Sequence, residues 1–139
     1  MLLDDYSLSM WGLFIILATV LVQSLVAALV KAAQPGAVPG KIDETLSHAS
    51  FVFRSSRTIA NSLENLPVML GTAVLALLVQ ADPFWVAVCI WTYALARLVH
   101  MVLYYVIATE QNPSPRSHFY FIALLANIAL LVFIALALI

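Results

Sequence analysis

Four long runs of apolar side chains, divided by short polar or proline-containing breaks, leave this chain few soluble folds to adopt. The first extends from Leu8 to Val30, with no charge between Tyr6 and Val30. As a helix it spans roughly 34 Å at ~1.5 Å per residue, enough for a bilayer's hydrocarbon core with a little tilt. The second is apolar from Leu66 to Val79, and its helical reading reaches back to about Ser47. The third runs from Phe84 to Ile107 and the fourth from Phe119 to Ile139. Hydrophobic residues make up 64% of the 139 and charged ones only 9%, too few to clothe a water-exposed surface. The sequence predicts an all-α integral membrane protein with one domain over 1–139. Its transmembrane helices fall at about 8–30, 47–80, 84–107 and 118–139.

The first run is too long for a signal-peptide core and follows Asp4 and Asp5 instead of basic residues, so it reads as a retained span. Cys89 is the only cysteine and lies mid-helix, which excludes an intrachain disulfide or a cysteine metal site. A net charge of −1 comes with no basic arm, and nothing points to nucleic acid. No glycine-rich phosphate loop, zinc-ligand spacing, nucleophile elbow or internal repeat is present, and no metal is expected. Lys31, Lys41, Arg54 and Arg57 lie in or beside the first loop and Arg116 in the third, while Gln80–Pro83 has no basic residue. The positive-inside rule then places loops one and three in the cytoplasm and both termini on the opposite side.

Pro35, Gly36, Pro39 and Gly40 punctuate the end of the first helix, where Lys31 suits the negative end of the dipole. Asp43 is a candidate N-cap or first-turn acid for the second helix, and Pro67 is expected to kink that helix. Asp82-Pro83 makes a short turn, and Gln111-Asn112-Pro113-Ser114-Pro115 makes another. Short connections imply an up-down four-helix bundle.

Against this apolar background three polar clusters stand out. Arg57, Asn61 and Glu64 are spaced i, i+4, i+7, on one face of the second helix. Arg97, His100 and Tyr104 share a face of the third, and Arg116, Ser117 and Tyr120 open the fourth. Ionisable groups in a membrane cost several kcal/mol unless they meet one another, water or a ligand. The topology brings all three clusters to the cytoplasmic half. Ordinary roles compete: Arg57 and Glu64 as snorkelling headgroup charges, Arg97–Glu64 as an interhelical salt bridge, His100 as a bonded structural histidine, and Tyr104, Tyr105 and Tyr120 as an aromatic belt. Arg116 stands apart, because a cation at a helix start opposes the dipole and asks for an anionic partner. Together, guanidiniums, a carboxylate, an amide and phenols suit a small anionic or zwitterionic ligand.

At these residues the chain resembles the MAPEG family, the membrane-associated proteins of eicosanoid and glutathione metabolism, in the manner of a bacterial-type member. The helix-two pattern Arg-x-x-x-Asn-x-x-Glu with a following proline matches Arg57, Asn61, Glu64 and Pro67. The helix-three pattern Arg-x-x-His/Tyr-x-x-x-Tyr matches Arg97, His100 and Tyr104, and the Arg-Ser-x-x-Tyr of the prostaglandin E synthase type matches Arg116, Ser117 and Tyr120. The resemblance implies a homotrimer that binds glutathione between subunits near the cytoplasmic face. Arg57, Asn61, Glu64, Arg97, His100, Tyr104 and Tyr120 would then line the glutathione site, with Arg116 at the thiol and Ser117 a hydrogen-bond donor to it. Where the prostaglandin synthase type has an arginine before the asparagine, this chain has Ala60; Arg54 is extra, and Lys31 is the nearest counterpart of a basic residue closing helix one.

The implied function is a glutathione-dependent membrane transferase or peroxidase acting on a lipophilic electrophile from the bilayer, with glutathione as cosubstrate. Two other readings use the same residues: a small-anion transporter or channel subunit, and a catalytically idle bundle held by ion pairs. Generic Leu, Val, Ala and Phe around the clusters do not identify an acceptor.

Overall fold

The computed structural model describes residues 2–139, so residue 1 of the expected 1–139 domain lies outside the described residues. A single turn, α1 (Leu2–Asp5), precedes α2 (Ser7–Ala32), α3 (Phe51–Leu78), α4 (Pro83–Val106) and α5 (Pro115–Ala137). The last four are each long and apolar enough to cross a membrane, and the described residues contain no strand. The protein is an all-helical, multi-pass membrane bundle.

Helix α2 is sorted inside out compared with a helix of a soluble bundle. On α2 the buried positions are Ser9, Gly12, Ile16, Thr19 and Gln23, a stripe at alternating three- and four-residue steps. Trp11, Phe14, Leu17, Leu21, Leu25 and Leu29 are the exposed ones. Lipid solvates large apolar side chains as well as a protein core does, so helix contacts use small and weakly polar residues that permit close approach. The stripe of α3 is mostly of the same kind, with Ser55, Thr58, Ser62, Thr72, Ala73 and Ala76 inward beside Val52 and Met69.

Helix α4 is the centre of the bundle. It packs most extensively on α5 and also lies against α2 and α3, while α3 touches both α2 and α5. At the end holding the α3–α4 turn, the Tyr6 hydroxyl donates to the buried Ala81 carbonyl and the Trp91 indole donates to the Leu8 carbonyl at 2.9 Å. Asp82 caps α4 by accepting from the amides of Phe84 and Trp85 at 3.0 and 3.2 Å, with Pro83 at the first helical position.

The first connection departs from the expected short loop. Helix α3 starts at Phe51, and residues 33–50 form an irregular segment whose turns place Gly36 and Gly40 at φ of 69° and 78°. Asp43 is no helix cap; it accepts from the amide and hydroxyl of Thr45 at 2.9 and 2.7 Å, a local turn that lowers its carboxyl pKa. The last residues of the segment, next to the start of α3, are held by a side chain. Arg54 Nη1 donates to the carbonyls of His48 and Ala49 at 2.6 and 2.9 Å, and Nη2 reaches Tyr105 at 3.4 Å. Helix α3 runs continuously across Pro67, which faces outward.

Candidate functional site

The end of the bundle opposite Asp82 joins the close of α2, the start of α3, the close of α4 and the start of α5. Between α3, α4, α5 and the 107–114 loop lies a cavity of ≈ 410 Å³, within the usual range of ~300–1,000 Å³ for ligand pockets. Asn61, His100, Tyr104, Arg116, Ser117 and Tyr120 line it, so three helices deliver polar groups to one space.

Arg116 forms its wall. Pro115 occupies the first helical position of α5, and the backbone of Ser114 donates to Ser117 Oγ at 3.2 Å, fixing the entry of the chain. That geometry turns the Arg116 side chain inward until it is 8% exposed. Its Nη2 donates to the Thr109 carbonyl at 3.0 Å, and its Cζ lies 4.0 Å from the centre of the Tyr104 ring. The cation is thus held by a carbonyl dipole and an aromatic face, with neither partner carrying a negative charge. Nη1 is buried and has no hydrogen-bond partner among the described residues; the same is true of His100 Nδ1 and Asn61 Oδ1. Two potential donors and an acceptor that border one cavity are thus unmatched, which leaves hydrogen-bonding capacity on three of its lining residues. The Ser117 hydroxyl is already used, accepting the Ser114 amide and lying 3.2 Å from Ser114 Oγ.

Arg57, Glu64 and Arg97 do not line this cavity in a single chain. Arg57 and Glu64 are exposed on one outward face of α3. Arg97 is 5% exposed inside the bundle, where Nη2 donates to Ser62 Oγ at 3.0 Å. The expected alternative, an Arg97–Glu64 bridge, is replaced by this bond because Glu64 points away from α4's side of α3 and Ser62 points toward it.

Sequence reasoning missed the cavity's mouth. His48 and Glu110 both line it. The Glu110 carboxylate accepts the His48 amide at 2.9 Å and lies 2.8 Å from His48 Nδ1, binding the first connection to the third. These bonds hold the Glu110 carboxyl below the usual carboxylate range, its value lowered first by the His48 amide and then by the imidazole. His48 Nε2 is 3.4 Å from the Tyr104 hydroxyl. A lone histidine and a lone glutamate 62 residues apart carry no spacing signal, and only the fold joins them.

Four apolar spans around a polar cavity walled by a buried arginine define a small integral membrane protein with a polar site at one end of its bundle. The model of the MAPEG family matches residues 8–136, nearly the whole chain, and the protein belongs to that family, whose members include glutathione transferases and peroxidases. No curated protein and no solved structure matches the chain.

Proposed function

We propose that the protein is a glutathione-dependent transferase or peroxidase that works on lipophilic electrophiles, with Arg116 stabilising the glutathione thiolate. The observation that carries this reading is the Arg116 guanidinium, buried at the cavity wall with Nη1 directed to no protein partner among the described residues. A thiol of ordinary pKa, ~8.5, is only a few per cent ionised at neutral pH. Each ~1.4 kcal/mol by which the guanidinium favours the anion lowers that pKa by one unit. Asn61, His100, Tyr104 and Tyr120 supply the surrounding donors and acceptors for the peptide's amides and carboxylates. Ser117, already tied into the start of α5, holds Arg116's helix in place and is a weaker candidate for contact with the thiol.

Arg57 and Glu64 enter the same reading through a second copy of the chain. Their outward face on α3 is where a neighbouring subunit of a homotrimer would bring the cavity's open side against them, with Arg97 behind. The acceptor arrives from the bilayer along the apolar surface of α5, where Phe121 is exposed and also borders the cavity. The distribution of Lys31, Lys41, Arg54, Arg57 and Arg116 toward this end of the bundle supports a cytoplasmic setting for it, where glutathione is abundant, with both termini on the opposite side.

Thermal unfolding of the purified protein across a glutathione series tests the reading. A saturable rise in unfolding temperature is expected, because a ligand of the folded state stabilises it by mass action. Equal shifts from an unrelated anionic tripeptide would argue instead for a nonselective anion site.

A further inference from the structure

Ionising a thiol requires a proton acceptor, and Arg116 is not one, because a guanidinium stays protonated throughout the working pH range. The cavity contains one acid–base pair with no part in the chemistry above. Glu110 fixes His48 twice, through its backbone amide at 2.9 Å and its Nδ1 at 2.8 Å. With Nδ1–H donated to the carboxylate, the neutral imidazole keeps its lone pair on Nε2. That nitrogen faces the Tyr104 hydroxyl at 3.4 Å, and the Tyr104 ring in turn lies under the Arg116 guanidinium at 4.0 Å. Carboxylate, imidazole and phenol therefore form a chain from the protein's exterior to the group proposed to hold the sulfur.

We propose that His48, oriented by Glu110, takes the thiol proton through Tyr104; this rests on the glutathione reading given above. The S–H bond breaks with its electron pair left on sulfur, opposite Arg116. The proton joins the Tyr104 oxygen as the tyrosine's own proton passes to His48 Nε2. Glu110 then faces an imidazolium, which releases its proton to water. The side chain of His48 is 19% exposed and that of Glu110 66%, so this exit is open. His100 also borders the cavity, but it is 3% exposed and a proton placed there has no comparable path outward. The charged and titratable groups around His48 are Glu110 from the 107–114 loop, Tyr104 from α4, Arg116 from α5, and Arg54 from α3, whose guanidinium binds the His48 carbonyl at 2.6 Å. His48 is a relay residue, acting on the substrate through Tyr104.

The test follows the rise of the thiolate ultraviolet band after rapid mixing of the full-length protein with glutathione. Parent, His48→Ala and Glu110→Gln are compared, with glutathione thermal protection measured in parallel. His48→Ala should keep the protection and form thiolate about 100-fold more slowly, the lower end of what a positioned base contributes. Free imidazole should restore the rate in proportion to its unprotonated fraction, a response that a purely structural role would not give. Glu110→Gln should slow the rate by a smaller factor. If His48→Ala disturbs folding, His48→Gln retains a donor for Glu110 and serves in the same comparison. An undiminished rate in the His48 variant that folds, or a slowed rate indifferent to imidazole, overturns the relay alone. Absence of glutathione protection in the parent overturns the relay and the glutathione reading together.

Discussion

Replacing Gly12 by alanine tests the packing of α2 on α4. A Cβ at Gly12 would lie 2.6 Å from Ile90 Cγ2 and 3.4 Å from the Trp91 indole nitrogen. Carbon atoms rest comfortably at about 3.5–4.0 Å, so α2 and α4 must part by roughly 1 Å or Ile90 must leave its rotamer. Ile90 is fully buried and has little room to turn. Overpacking of this kind costs about 1–3 kcal/mol, against which alanine's better helix propensity returns up to ~1 kcal/mol. The net expectation for Gly12→Ala is a loss of up to about 2 kcal/mol in reversible unfolding from mixed micelles. The offending methyl also has a specific remedy. Ile90→Leu removes Cγ2 at constant volume, and the double variant should recover at least half of the loss, a coupling of about 0.5–1 kcal/mol. A cycle with zero coupling between the two positions would refute the close approach of these two helices.

Two further substitutions probe the same end of the bundle. Tyr6→Phe leaves the buried Ala81 carbonyl without its donor and should cost about 1–3 kcal/mol in the same titration. It should also change the pH profile. Burial, then the carboxylates of Asp5 and Asp82, raise the Tyr6 pKa, so the parent keeps the full contribution below about pH 10 and loses it as pH climbs through the folded value; the phenylalanine variant should lack that alkaline loss. Asp82→Ala removes the cap on the amides of Phe84 and Trp85 and should cost about 0.5–2 kcal/mol, with Asp82→Asn recovering most of it.

The spans were readable because lipid permits long uninterrupted apolar runs, and their limits are written by Pro83, Pro115 and the Pro–Gly segment after Lys31. That Arg116 needs a partner was readable as well, since a cation in the first turn of a helix opposes the dipole. Its actual holders, the Thr109 carbonyl and the Tyr104 ring, were not, because neither carries the negative charge that the dipole argument asks for. The start of α3 escaped for a tertiary reason. Helical periodicity continues back to Ser47, yet Arg54 takes the carbonyls of His48 and Ala49 and Glu110 takes the His48 amide. The clusters were expected to converge as one set, and the single chain divides them. Helical spacing puts Arg57 and Glu64 on a common face, but it does not say whether that face meets α4, lipid or another subunit.

The most direct test of the account is the thiolate band of glutathione titrated into the protein at neutral pH, in the parent and in Arg116→Ala. The parent should develop a saturable band. Arg116→Ala should retain thermal protection by glutathione and lose the band, and Arg116→Lys should restore part of it, since an ammonium supplies charge without the planar guanidinium that stacks on Tyr104. A band of undiminished size in Arg116→Ala would contradict the account, leaving the buried guanidinium of α5 with no part in making the nucleophile.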